Sequence, residues 1–164
     1  MIDVRGNITT LRGELIKFWS RSPEPRIIII GVGRTMRGDE STGLLIADEL
    51  AKTNHRNTLV IRAEDRPENY TEQIRRFNPT QILFLLATRS GAVPGETRLI
   101  TFRKHSRTSL HESPLTTLDH YLSAILQVET RLLIIEPQTE MWEPTQLMRE
   151  AARRIAADIE ASLP

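Results

Sequence analysis

The chain predicts an α/β fold of three layers, a mainly parallel five-stranded sheet with helices on both faces, and three observations carry that expectation. Short runs of Ile, Leu and Val alternate with stretches whose apolar residues recur every three or four positions, the pattern that builds a parallel sheet between helices. The first such run, Ile27 to Ile30, is four β-branched residues in a row, which suits a strand buried on both faces. The length, 164 residues, is that of one ordinary domain.

Taken in order, the elements begin with a helix over Thr10 to Trp19 that places Leu11, Leu15, Phe18 and Trp19 on one side. Gly13 weakens it by about 1 kcal/mol relative to Ala. Pro23 and Pro25 mark a linker, so residues 1–24 are set apart as an N-terminal helical extension and 25–164 as the α/β domain. Strands follow at Ile27 to Ile30, Thr58 to Ile61, Gln81 to Ala87, Thr97 to Phe102 and Arg131 to Ile135. The fourth is expected as an antiparallel edge strand, reached from its neighbour through a turn containing Pro94-Gly95. Between the strands, Ser41 to Ala51 carries Leu44, Ile46, Ala47 and Leu50, and Tyr70 to Phe77 is a shorter helix. Ser113 reads as an N-cap with Pro114 at the first helical position, ahead of Leu115, Leu118, Leu122 and Ile125. The last helix is opened by Pro144 and buries Met148, Ala152, Ile155 and Ile159.

Composition removes several classes of function. The 22 basic and 21 acidic side chains leave a formal net charge of +1, so no global field grips nucleic acid or an anionic membrane, and neither is expected as a partner. With no Cys there is no thiolate nucleophile, iron–sulfur cluster or cysteine zinc site. The N-terminus lacks a signal-peptide pattern and no apolar run reaches the roughly 18–20 residues of a membrane span, which makes the cytoplasm the expected location.

Chemistry is concentrated in Gly31-Val-Gly-Arg-Thr-Met-Arg-Gly-Asp-Glu-Ser-Thr-Gly43, directly after the first strand. A dinucleotide fingerprint fails there, because its third glycine falls on Met36. A phosphate-binding Walker loop fails too, for want of Lys-Ser or Lys-Thr after Gly38. Asp39 and Glu40 would moreover repel a pyrophosphate at the following helix. One of these acids is accounted for as a helix cap, with Asp39 the candidate. Glu40 is then free to ligate in the crevice that open parallel sheets form at the carboxyl ends of their strands.

This stretch resembles the G-x-G-N-x-x-x-x-D-D/E-x-x-G signature of the nickel–iron hydrogenase maturation endopeptidases, with Arg34 standing where Asn is usual. Arg66-Pro-Glu-Asn69 is similar to the family's Pro-Glu-Asn stretch, and Leu86-Ala-Thr88 with Pro94-Gly-Glu96 to its Asp-Ala-Thr and Pro-Gly-Glu elements. Ser109-Leu-His111 resembles its Ser/Thr-Thr-His loop. The order and spacing fit from about residue 25 to 160. The resemblance implies a peptidase that removes a C-terminal extension from the hydrogenase large-subunit precursor, recognising nickel already seated in that substrate and holding no metal cofactor of its own. By resemblance Glu40 and His111 are the catalytic and metal-recognising residues, a chemically reasonable pair because carboxylate and imidazole suit a borderline divalent ion. The family's middle ligand, an Asp, reads Leu86 here, and its Asp-Gly-Gly after the second strand reads Arg62-Ala-Glu64. Glu64 or Asp65 would have to be recruited to replace the missing carboxylate. These departures motivate a rival expectation, a catalytically impaired relative that binds the large subunit without cutting it.

The remaining signals are weaker. His55, His105 and His120 have no partner at metal-ligand spacing, and no G-x-S-x-G elbow is present. The run Arg103-Lys-His-Ser-Arg107 reads as a solvated loop, with docking to an acidic protein face as the functional alternative. A third reading is a small-molecule binder in the crevice beyond Gly31. A monomer is compatible with this size and architecture.

Overall fold

The structure, a computed structural model, describes residues 9–102, 114–139 and 141–164. The strands are β1 (Ile27–Val32), β2 (Thr58–Arg62), β3 (Gln81–Ala87), β4 (Thr97–Ile100) and β5 (Glu129–Ile135), and the helices α1 (Leu11–Trp19), α2 (Thr42–Leu50), α3 (Thr71–Phe77), α4 (Pro114–Ala124) and α5 (Gln146–Ser162). The sheet order is β2-β1-β3-β5-β4. All neighbours are parallel except β4, which runs antiparallel to β5 at the edge. No helix among the described residues is long and apolar enough to cross a membrane.

Period-two alternation in the apolar strands explains the layers. Ile27 and Ile29 of β1, with Leu83 and Leu85 of β3, face a core shared with Leu15 and Trp19 of α1, Ile46 and Leu50 of α2, and Met148 to Ile159 of α5. Ile28 and Ile30, with Ile82 and Phe84, face the opposite core against Ile74 of α3 and Leu115, Leu118 and Leu122 of α4. Each strand therefore feeds two hydrophobic cores, and so its polar alternation is missing.

Some local expectations are corrected. The chain before β4 is β3, yet β4 pairs with β5, which inserts between them. The all-apolar Leu132–Ile135 needs cover on both sides, whereas β4, with exposed Arg98, suits an edge. Pro144 does not open α5; Thr145 is the N-cap, its hydroxyl accepting from the Met148 amide at 3.3 Å. Ser113, the expected cap of α4, lies outside the described residues, as does the basic run 103–107. Helix α1 packs into the first core: the indole N–H of buried Trp19 donates to the Ser162 hydroxyl of α5 at 2.9 Å, and the buried Gln81 amide donates to the Phe18 carbonyl.

A contact with no room for a side chain sets α2 on the sheet. A Cβ at Gly43 would lie 2.4 Å from the Leu85 carbonyl oxygen and 2.6 Å from that of Val32, and one at Gly31 would lie 2.5 Å from the Gly43 oxygen. Backbone meets backbone there, so neither neighbour can yield by changing rotamer. Gly43→Ala is expected to destabilise the protein by about 2–3 kcal/mol or more, read as a lowered midpoint in urea denaturation; an unchanged midpoint would show that α2 can lift off the sheet freely.

Candidate functional site

The strand order reverses between β1 and β3, with β2 on one side and β5 on the other. Open parallel sheets bind ligands at such a switch point, outside the carboxyl ends of the strands. An open crevice of about 450 Å³ lies there, walled by Val32 and Gly33 leaving β1, Leu86 and Thr88 leaving β3, Asp65 after β2, and Leu115 at the start of α4. Glu40 lines it from a short 3-10 turn, Gly38–Ser41, that precedes α2. Its carboxylate is 42% exposed and stands 3.6 Å from the Arg37 guanidinium, a loose pairing between solvated groups. A larger hollow of about 660 Å³ on the α1–α5 side of β4 is lined by Glu96, Arg98, Arg154 and Asp158, and Glu40 is not in its lining.

The structure brings Glu40 and Leu86 into one crevice, so the position where a carboxylate was sought is half-buried hydrocarbon. His111 lies outside the described residues; Leu115, four positions on, is part of the crevice wall. The two nearby acids, Glu64 and Asp65, are engaged. Asp65 accepts from Arg34 Nε at 2.8 Å, and Glu64 pairs with Arg62 and accepts from the Thr35 amide and hydroxyl at 3.2 and 3.0 Å. Arg62 also donates to Asp48 at 3.0 Å. Among the described residues no group of three or more His, Cys, Asp or Glu is arranged to hold a metal ion. His55 pairs with Glu160 of α5 at 3.3 Å, and His120 is exposed on α4.

Asp39 does not cap α2, whose first turn has no side-chain cap. Fully buried, it reaches about a hundred residues along the chain: one carboxylate oxygen accepts from the Gln138 and Thr139 amides at 3.0 and 2.8 Å, and the other from the Thr145 amide at 2.7 Å and hydroxyl at 3.1 Å. A local capping rule could not foresee this, because the partners belong to the loop after β5. With Asp39 turned inward, Glu40 is left facing the crevice.

Comparison with known proteins shows the same architecture. No family model matches the chain. The hydrogenase 3 maturation protease of Escherichia coli (strain K12) is 38% identical over 73 residues, 44% of this chain, and the chain spans 47% of that relative's length. The crystal structure of a [NiFe] hydrogenase maturation protease HycI from Thermococcus kodakarensis KOD1 superposes with a TM-score of 0.76 at 28% identity, covering 86% of this chain and 94% of that one. The solution structure of an endopeptidase HycI from Escherichia coli gives 0.72 at 29% identity, covering 82% and 88%. The chain shares the fold of these [NiFe] hydrogenase maturation proteases and is similar to them in sequence. In this chain Glu40 lines the crevice together with Leu86, and Arg34 and Arg62 hold Asp65 and Asp48 in ion pairs.

A second buried acid escaped sequence reasoning. Glu136, 5% exposed at the end of β5, accepts from the Ser90 amide at 2.8 Å and its hydroxyl at 2.6 Å. It thereby holds the loop that leaves β3 along the crevice. Burial pushes its carboxyl up, but the Ser90 hydroxyl and the Ser90, Ala92 and Gly91 amides outweigh that and hold it below its ordinary value of 4.5. The available signal was a lone acid directly after four apolar strand residues.

Two stability predictions follow from these acids. Asp39→Ala orphans three backbone amides and is expected to cost about 3 kcal/mol or more, measured by urea denaturation at neutral pH. Because Glu136 has a lowered native pKa, its stabilisation is present in full above about pH 4.5 and is lost as pH falls through the native value. Glu136→Gln should be less stable than the parent at neutral pH and show a shallower decline on acidification below that point. Parallel declines would remove Glu136 as a contributor to acid sensitivity.

Proposed function

We propose that the chain is a nickel-recognising endopeptidase that removes a C-terminal extension from a hydrogenase large-subunit precursor after nickel has been inserted. The observation that supports this most directly is Glu40, lining the crevice between the carboxyl ends of β1 and β3 at the position the family signature gives to an acid. Glu40 and His111 are the proposed ligands. They would reach nickel seated in the substrate, and tethering at the metal would align the scissile peptide, converting an encounter with a flexible tail into a positioned one. The similarity in fold to maturation proteases of two organisms supports the same reading.

A second reading is favoured by Leu86: a binding module that holds the large subunit without trimming it. A hydrocarbon cannot ligate nickel, and two protein ligands hold a divalent ion weakly.

Incubating the purified chain with nickel-loaded large-subunit precursor and following its mass separates the two. Loss of a C-terminal peptide is expected, slowed about 100-fold or more by Glu40→Gln; an unchanged precursor in the presence of folded protein defeats the endopeptidase reading. Under the binding-module reading the precursor co-purifies uncut, and Leu86→Asp strengthens nickel binding in calorimetry. Tight nickel binding by the unaltered chain would leave that reading without its basis.

A further inference from the structure

Beside the crevice stand three large apolar side chains that its nickel chemistry does not use. Met36, Met141 and Trp142 are 66%, 66% and 76% exposed. They come from two loops that meet through backbone. The Gly38 amide donates to the Trp142 carbonyl at 3.0 Å, and Gly38 has φ +55° with no space for a Cβ, which would lie 1.8 Å from the Met141 oxygen. Asp39, one residue further, grips the Thr139 and Thr145 amides on either side of Met141 and Trp142. Met36 itself holds φ 62°, a left-handed conformation unusual for a long side chain. A buried carboxylate and a glycine-only contact thus fix the loop that presents an exposed Trp next to Glu40.

None of the three lines the crevice. Met and Trp are the residue types that concentrate at the centres of protein interfaces, and Trp is among the commonest sites of large binding energy. Area points the same way. A crevice of about 450 Å³ admits only a short stretch of chain, whereas a stable protein interface takes about 800 Å² from each partner.

We propose that Met36, Met141 and Trp142 form a docking rim that grips an apolar strip on the folded body of the substrate protein whose tail enters the crevice. This rests on the reading of the crevice as the place where that tail is received. The rim supplies affinity and the crevice supplies alignment, so the two are separable in kinetics.

The test uses the full chain and the nickel-loaded large-subunit precursor. Met141→Ala/Trp142→Ala and Met36→Ala remove exposed side chains and keep the backbone contacts, and unchanged thermal melts are expected. Ile125→Ser is the control, since Ile125 is also 66% exposed but follows α4 and precedes β5, at the opposite end of the sheet. Cleavage kinetics should show KM raised about tenfold or more by the double variant, with kcat within about twofold. Equilibrium binding of the precursor to Glu40→Gln protein should weaken equally when the rim is removed. Normal cleavage with KM within about twofold of the parent overturns the rim and leaves the endopeptidase reading intact. Trp142-dependent binding without any cleavage sinks the endopeptidase reading and upholds the rim. Absence of precursor binding by the parent, or a rim-dependent dimer of this chain in light scattering with precursor affinity unchanged, overturns the rim.

Discussion

A single buried carboxylate organises the working end of this molecule. Among the described residues Asp39 has no cationic partner; three backbone amides and a hydroxyl satisfy it. A charge removed from water is tolerated only when hydrogen bonds replace its hydration, and here the replacement amides come from the loop after β5 and the start of α5. The turn after β1 and the segment after β5 therefore cannot move independently. Where Glu40 points and where Trp142 projects are both consequences of that bond set. Gly38 makes it possible, because only a residue without Cβ lets the second loop lie against the first.

Much of the fold was legible because its code is local and redundant. Ile27 to Ile30 could hardly be anything but a strand buried on both faces, and the spacing of Met148, Ala152, Ile155 and Ile159 returns as the buried side of α5. What was not legible depends on partners distant in sequence. Asp39 looked like a helix cap since caps are satisfied within three residues, whereas its amides lie about a hundred positions away. The neighbour of β4 was misjudged for the same reason: chain order says β3, but burial on both edges draws β5 inside. Glu136 is legible only in retrospect, as an acid that makes sense once the Ser90 loop is seen around it. In the candidate site the Gly-rich turn and the place of Glu40 in the crevice were readable, because open parallel sheets leave a crevice outside the carboxyl ends of their strands. The state of Glu64 and Asp65 was not, because their arginine partners are on other segments.

The ion pairs around the crevice are better read as restraints on chemistry than as sources of stability. Arg34–Asp65 and Arg62–Asp48 are both more than a third exposed, and exposed pairs contribute little to folding. Their effect is to occupy carboxylates. With Asp65 held by Arg34 and Glu64 by Arg62 and Thr35, neither acid is free to stand in for the carboxylate missing at Leu86. Glu40 differs, since its guanidinium neighbour is 3.6 Å away and loosely placed, and an incoming cation can compete for it.

This division bears on how two ligands can suffice for recognition. A three-donor site can find a metal by affinity alone, but a carboxylate and an imidazole bind a divalent ion weakly unless it is delivered to them. If the substrate body is gripped elsewhere, the local concentration of its nickel at Glu40 is set by that grip, and weak ligation becomes a check on whether metal is present and no longer the source of binding. On the proposed reading, Leu86 supplies no ligand and the proposed apolar rim supplies the affinity instead, while discrimination between loaded and empty substrate would rest with Glu40 and His111. On this view a hydrocarbon in the crevice and a fixed, exposed Trp beside it are linked features: the second makes the first tolerable.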